Sequence, residues 1–220
     1  MKRYQTILFD FDGTLADTSE GIFNCVRFTQ EKMKLREISL EEYLSFVGPP
    51  MEESYSRVFA LSACDSKRAV SFHKQYGVEN GAFEVSLYGS IKKLLKLLRE
   101  QNRQIGVATL KFQKTTEKII SFLSMSDLFD VVKGSEGIQE ETKSSIIDAC
   151  LHGLPTGTDY ESVLVGDSKY DAIGAAEVGI DFIAVTYGFG FKTKEEAQQY
   201  DSVFIAESVD DLISFFGERC

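Results

Sequence analysis

The sequence predicts an α/β fold in which a doubly wound parallel sheet is interrupted by a helical insert. Short apolar runs alternate with helical patterns along most of the chain, which is typical of parallel sheets covered by helices on both faces. The first apolar run is separated from the second by a long stretch that is itself mostly helical in character. The length of 220 residues suits one domain of good size, or one domain with a smaller partner.

Six apolar runs are predicted to be buried strands, because each is short and is followed by a turn and a helical pattern. In chain order the predicted strands are Thr6–Phe11, Gln104–Thr109, Leu128–Gly134, Ser162–Asp167, Asp181–Thr186 and Ser202–Ala206. The helical pattern over Gly89–Glu100 already belongs to the same unit as these strands. We therefore assign residues 1–16 and 83–220 to an α/β core domain.

Residues 17–82 are predicted to form a small helical domain inserted after the first strand. One helix pattern, Ser39–Val47, opens with a capping box made by Ser39 and Glu42 and is stopped by the Gly-Pro-Pro that follows. Further along, we predict helices over Met51–Leu61 and Ser66–Tyr76 and a turn or linker over Gly77–Phe83.

Composition restricts the class of partner. The chain has 24 Lys and Arg against 34 Asp and Glu, a net charge of −10, whereas nucleic acids and anionic membranes select basic surfaces. Its N-terminal apolar run is broken by Asp10, and no run approaches the ~20 residues of a membrane span. Four scattered cysteines without a CxxC pair are typical of reduced thiols in a cytoplasmic protein; they are Cys25, Cys64, Cys150 and Cys220.

Reactive side chains stand where the predicted strands end or where the following helices begin. They are Asp10, Asp12, Thr109, Lys143, Asp167 and Asp171. In a doubly wound sheet these ends share one edge, where ligands bind. Taken singly, Thr109 is typical of a turn residue and Lys143 of a solvated helix residue. The acids differ, because Asp10 and Asp12 at positions i and i+2 point the same way and repel unless a cation or a proton intervenes.

This set of residue types indicates phosphoryl chemistry. A hard divalent cation, with Mg²⁺ favoured, relieves the repulsion among clustered carboxylates. Magnesium together with a lysine and a hydroxyl suits the oxygens of a phosphoryl group. One carboxylate can act as nucleophile and form an aspartyl phosphate, while a neighbouring carboxyl of raised pKa can protonate the leaving alcohol.

Four short motifs resemble, in order, those of the haloacid dehalogenase-like phosphatase superfamily. They are "DFDGT" (Asp10–Thr14), Thr109 after "IGVA", Lys143, and "GDSKYD" (Gly166–Asp171). The insert after the first motif is similar to the small α-helical cap of that superfamily. Two further segments resemble its phosphoglycolate phosphatase-like branch, namely "VGPPMEES" (Val47–Ser54) and "VTYGFG" (Val185–Gly190).

The resemblance implies a role for each matching residue. Asp10 would be the nucleophile and a metal ligand, and Asp12 the general acid and base and a metal ligand through its backbone carbonyl. Thr109 and Lys143 would hold the transferring phosphoryl group. Asp167 would bind the metal, and Asp171 would orient it or bind it through water. The sequence departs from the branch at Leu110, usually small or polar, and at Ser144, often proline.

The expected function is hydrolysis of a small phosphomonoester by a Mg²⁺-dependent, phosphoglycolate phosphatase-like enzyme. The turn at Gly48, Pro49 and Pro50 is expected to reach the substrate from the cap. Alternatives are a sugar phosphomutase, an inorganic pyrophosphatase or nucleotidase, and a phosphoacceptor signalling protein. The mutase needs a second phosphate site, and the insert shows no clear basic pair for one. We expect a monomer or homodimer, no nucleic-acid or membrane partner, and structural roles for His73 and His152.

Overall fold

The structure is a computed structural model that describes residues 4–137, 141–154 and 161–217, so Cys220 lies outside the described residues. The strands are β1 (Thr6–Phe9), β2 (Ala16–Asp17), β3 (Ser86–Leu87), β4 (Gln104–Phe112), β5 (Val131–Ser135), β6 (Ser162–Gly166), β7 (Asp181–Val185) and β8 (Phe204–Ala206). The α-helices are α1 (Ser19–Met33), α2 (Leu40–Leu44), α3 (Met51–Phe59), α4 (Ala63–Glu79), α5 (Ile91–Glu100), α6 (Gln113–Phe122), α7 (Lys143–His152), α8 (Lys169–Val178), α9 (Lys194–Ala197) and α10 (Val209–Gly217).

A parallel sheet dominates the part of the chain that the structure describes. Its six strands lie in the order β5-β4-β1-β6-β7-β8, and every neighbouring pair is parallel. β1 therefore lies in the middle, with Phe9 paired to Val107 of β4 on one side and to Val165 of β6 on the other. The predicted doubly wound α/β sheet is confirmed, and the chain order of its strands reverses at β1, where such folds bind ligands.

Apolar side chains cover both faces of the sheet. Ile7 and Phe9 belong to a cluster that includes side chains of α5, α6 and α10. Leu8, which lies between them, belongs to a second cluster with side chains of α7 and α8. Successive strand residues point to opposite faces, so a continuous apolar run is what a strand buried on both faces requires. This double burial holds β1 rigidly beneath the residues that follow it.

Four helices, α1 to α4, occupy most of the predicted insert and share an apolar cluster of their own around Val26, Phe46, Tyr55 and Ala69. The antiparallel ribbon of β2 and β3 connects the start and the end of this segment to the sheet. The division of the chain into a core and a cap over residues 17–82 stays a prediction.

Two local predictions within the insert had different outcomes. The capping box is confirmed, because Ser39 and Glu42 exchange hydrogen bonds at the start of α2. The turn predicted over Gly77–Phe83 is wrong at its start, since α4 continues to Glu79 before a short 3₁₀ helix over Gly81–Phe83. A Cβ at Gly77 would make only an ordinary van der Waals contact with the Sγ of Cys25, at 3.5 Å, so α4 tolerates this glycine without requiring it for packing on α1.

Among the described residues, no helix is both long enough and apolar enough to cross a membrane.

Candidate active site

Two neighbouring strands bring the first acids together. Asp10 directly follows β1 and Asp167 directly follows β6. The backbone N–H of Asp10 donates to the carbonyl of Val165 at 2.9 Å, which extends the pairing of the two strands by one residue. The site therefore forms at the carboxyl edge of the sheet, at the point where the chain order of the strands reverses.

Three buried carboxylates and one buried ammonium form the centre of the site. Oxygen atoms of Asp10, Asp167 and Asp171 lie within 4.8 Å of one another. The Nζ of Lys143, at the start of α7, donates to Oδ1 of Asp10 at 2.6 Å and lies 2.6 Å from Oδ1 of Asp171. Three acids against one ammonium leave an excess of negative charge, and oxygen ligands of this kind fit a hard divalent cation.

Burial governs the protonation of this cluster. Desolvation, opposed by the attraction of Lys143 and assisted by repulsion from Asp171 and Asp12, raises the pKa of Asp10 to about 7. Desolvation and the repulsion of Asp171 and Asp10 raise the pKa of Asp167 to about 8. Burial alone would lower the pKa of Lys143, but its two carboxylate partners raise it above the usual value. A cation bound among the acids would favour their charged forms.

Backbone and hydroxyl donors fix the two later acids. The N–H groups of Phe189 and Gly190, in the loop after β7, donate to Oδ2 of Asp167 at 2.6 and 3.0 Å. Asp171 lies in the first turn of α8, where its Oδ2 accepts from the N–H and the hydroxyl of Ser168 at 3.0 and 2.6 Å. Each carboxylate is therefore oriented before any ligand binds.

Gly13 is required by the geometry of the first turn. Its φ is +81°, in the region that favours glycine, and a Cβ there would lie 2.2 Å from Oδ2 of Asp167. The chain can turn away after the acids of β1 only if this position carries no side chain.

The side chain of Asp12 is not one of the three clustered carboxylates and has partners of its own. Its Oδ1 accepts from the hydroxyl of Thr18 at 2.5 Å, and Nζ of Lys111 lies 3.0 and 3.2 Å from its two oxygens. The prediction that the metal contacts Asp12 through the backbone carbonyl stays a prediction. Lys111 therefore forms an ion pair with this acid, a contact that the sequence analysis did not identify.

Thr109 lies inside β4, which continues three residues beyond its predicted end. The register of β4 against β5 shifts between Ala108 and Phe112, so the regular pairing of the strand is interrupted just after Thr109. The Thr109 hydroxyl is buried and accepts from the N–H of Lys111 at 3.2 Å. Because a hydroxyl has one hydrogen and two lone pairs, this contact leaves its O–H as a donor.

A cavity of 740 Å³ lies between the helical insert and the end of β4. Its wall includes Asp12 and the predicted cap turn; the residues of that turn are Gly48, Pro49 and Pro50. Leu110 and Lys111 contribute the side nearest to Thr109. His73 lies in the wall as well, buried and within 3.1 Å of the Tyr55 hydroxyl through its Nδ1.

Two lysines of α4, Lys67 and Lys74, also line this cavity, which the sequence prediction missed when it found no basic pair in the insert. Their spacing of seven residues places them on one face of a helix. The spacing is visible in the sequence, but the side of α4 that faces the cavity is set by tertiary packing.

Comparison with known proteins identifies the family to which this chain is similar. Residues 7–185 match the family model described as haloacid dehalogenase-like hydrolase. The chain is 29% identical over 198 residues to a 5'-nucleotidase of Pseudomonas aeruginosa, covering 90% of this chain and 89% of that protein. It is 24% identical to the pyrophosphatase PpaX of Halalkalibacterium halodurans, covering 97% of each. A crystal structure of a predicted phosphatase from Clostridium acetobutylicum superimposes with a TM-score of 0.90 and 30% identity, covering 99% and 100% of the two chains.

Proposed function

This chain belongs to the haloacid dehalogenase-like hydrolase family, and we propose that it is a Mg²⁺-dependent phosphatase of small phosphomonoesters. The observation that carries the proposal is the set of three buried carboxylates, Asp10, Asp167 and Asp171, arranged around the ammonium of Lys143. In the proposed reaction Asp10 attacks the phosphorus and forms an aspartyl phosphate.

The remaining residues have separate roles in this proposal. As the bond between the phosphorus and the ester oxygen breaks, Asp12 donates a proton to the leaving alcohol. It then removes a proton from the water that hydrolyses the aspartyl phosphate. Lys143 and the hydroxyl of Thr109 hold oxygens of the transferring group. Lys143 already holds Oδ1 of Asp10, so the other carboxylate oxygen can attack.

The carboxylates Asp10, Asp167 and Asp171 would hold the magnesium ion, together with the backbone carbonyl of Asp12. When bound, the ion would offset the negative charge of the carboxylates and of the phosphoryl oxygens. We also propose that residues 17–82 act as a cap over the edge of the sheet. The cavity beneath those residues, with Gly48, Pro49 and Pro50 in its wall, suits a small metabolite rather than a folded phosphoprotein.

Pyrophosphate hydrolysis is a second candidate. The relative named pyrophosphatase PpaX aligns along nearly the whole chain. Both reactions would use the same carboxylates and differ only in the leaving group, which is an alcohol in one and phosphate in the other.

The proposal is tested by phosphate release from a panel of small esters, with p-nitrophenyl phosphate as the generic probe and pyrophosphate as a separate arm. We expect many turnovers per enzyme, loss of activity in EDTA and recovery on adding Mg²⁺. Mg²⁺ should also stabilise the folded chain, by about 2.7 kcal/mol at a hundredfold excess over its Kd. Asp167→Asn should reduce that stabilisation. Full activity in chelator, with Mg²⁺ confirmed absent, would contradict the proposal.

A further inference from the structure

Among the charged side chains in the wall of the cavity, Lys67 and Glu52 are exposed, whereas Lys74 is partly buried. Lys111 is paired with Asp12. Glu141 accepts hydrogen bonds from the hydroxyl of Ser135 and from two backbone N–H groups of the same loop. Lys74 is half-buried, and within the described part of the chain no carboxylate oxygen lies within 4.0 Å of its ammonium.

The ammonium of Lys74 crosses the cavity from the insert to the core. Its Nζ lies 3.9 Å from the centre of the Phe112 ring, at the end of β4. On the far side it approaches the loop after β5, where a Cβ on Gly137 would lie 2.3 Å from it. Gly137, with a φ of +74°, therefore leaves the space that the ammonium occupies. An aromatic face attracts a cation but does not neutralise it.

The environment of this lysine favours an anionic ligand. Burial lowers its pKa, while the more distant charges of Glu141 and Glu136 act in the opposite direction. A cation removed from water without a close counter-charge is unfavourable, and an anion that enters the cavity relieves that cost. Lys67, also in the wall and two helical turns earlier on α4, adds positive potential at the exposed side, and the exposed Glu52 of the same wall opposes it.

The position of Lys74 sets the distance between an anion bound by this lysine and a phosphoryl group bound at Thr109. Ala108 and Phe112 of β4 pair with Lys133 and Ser135 of β5, so this part of β4 advances by only about two residues of strand, roughly 7 Å. An anion held above Phe112 is therefore separated from a phosphoryl group at Thr109 by several bonds. Pyrophosphate is too short to occupy both places, whereas a bisphosphate with an intervening carbon chain is long enough.

We propose that Lys74 binds a second anionic group on the leaving portion of the substrate, so that the preferred substrates are phosphate esters with an anion at their far end. The inference rests on the proposed phosphatase function and names the substrate class for that same cavity. The second anion is a phosphate or a carboxylate, which share the chemistry that a lysine recognises. Discrimination then depends on a charge carried by the insert, not on the residues that hold the phosphoryl group.

The test uses kcat/KM for three bisphosphates of increasing length: those of ethane-1,2-diol, butane-1,4-diol and hexane-1,6-diol. Each is compared with the monophosphate of the same diol, whose far end is a neutral hydroxyl. An ω-carboxyalkyl phosphate tests whether a carboxylate can replace the second phosphate. Pyrophosphate is included as a substrate without a carbon chain between its phosphates. We expect one of the two longer bisphosphates to exceed its monophosphate by about tenfold to a hundredfold, mainly through KM.

Three variants test whether the preference for a second anion depends on the charge of Lys74. Lys74→Met should abolish the preference while leaving kcat/KM for the monophosphates unchanged, and Lys74→Arg should retain most of it. Lys93→Met, which removes an exposed lysine of α5, is the matched control and should behave as the parent. An equal preference in the parent and Lys74→Met, or none in the parent, overturns the inference while the phosphatase function stands. Absence of turnover with every ester overturns the proposed function itself. Pyrophosphate as the best substrate contradicts the spacing argument.

Discussion

The two sides of the cavity are built differently. On the core side, Asp10, Asp167 and Asp171 are buried, and each is held by an ammonium, hydroxyl or backbone donor. On the insert side, a Cβ at Gly48 would meet nothing within 4 Å, and Lys74 has no ion-pair partner among the described residues.

The difference indicates how the two tasks are divided. Groups that must react are oriented before a ligand arrives, because loose placement of a reacting group reduces rate steeply. The groups that we propose to meet the leaving portion of the substrate, Gly48 and Lys74, have open space beside them or a charge without an ion-pair partner among the described residues. The predictions below alter one side at a time, so that each tests this division.

The largest effect is expected for the nucleophile. Asp10→Asn keeps the shape of the side chain but removes the charge that attacks phosphorus, so we expect kcat to fall by about 10⁴-fold or more. Lys143 would keep its contact with Asp171, and the fold should therefore survive, as thermal denaturation can show. Asp127→Asn, at an exposed position, is the matched control. More than a trace of activity in Asp10→Asn, free of contaminating phosphatase, would remove Asp10 from its proposed role.

A second core substitution tests the need for tight placement. Gly13→Ala would put a methyl group against Oδ2 of Asp167 and impose a positive φ on alanine. We expect a loss of stability of about 1–3 kcal/mol and a fall in activity on the order of a hundredfold. Gly89→Ala is the control, because a Cβ there meets nothing within 4 Å and should change neither quantity. Equal effects of the two substitutions would show that the turn after β1 is not tightly constrained.

The sequence predicted the core side well, for a local reason. Each of the six strands contains a short apolar run, and the acids come directly after two of the strands, Thr6–Phe9 and Ser162–Gly166. The order of strands in a doubly wound sheet then brings Asp10 and Asp167 to one edge. Nothing beyond the pattern of the chain and that rule is needed.

The other contacts around the cavity could not be predicted in the same way. The pairing of Lys111 with Asp12 depends on the shift in register of β4, which propensities do not reveal. The contact between Lys74 and Phe112 depends on how α4 packs against the core. Gly77 disfavours a helix by its intrinsic propensity, yet it lies within α4, so the packing of α4 on α1 as a whole outweighs that propensity.

The pH dependence of the free energy of unfolding tests the insert side through the buried His73. Burial, with a smaller contribution from Lys111, lowers the pKa of His73 from 6.5 to about 3. Below pH 6.5 the unfolded chain binds a proton there and the folded chain does not, so acid destabilises the fold through this residue. The contribution reaches about 1.4 kcal/mol at pH 5.5 and grows until about pH 3.

Substituting the histidine isolates that contribution from those of the carboxylates. His73→Gln keeps a polar group for Tyr55 and should remove this part of the acid sensitivity, measured by urea denaturation between pH 7 and 5. The exposed His152 gives the matched control, His152→Gln, for which we expect the slope of the parent. An unchanged slope in His73→Gln would mean that His73 gains a proton in the fold as readily as in the unfolded chain.

The smallest effect is expected in the turn of the insert. Gly48 lines the cavity with a φ of +102°, so Gly48→Ala strains the backbone by about 1–2 kcal/mol without meeting another atom. Pro50→Ala frees the start of α3 and loosens the same turn. We expect either change to reorder the small esters by less than about tenfold, since these residues meet the leaving portion and not the phosphorus. Gly89→Ala, open but away from the cavity, should keep the parent ranking. If residues 17–82 cover the site as we propose, a phosphopeptide should be a poor substrate for all of them. If a phosphopeptide is the best substrate, or if the ranking is unchanged in both variants, the turn takes no part in recognition.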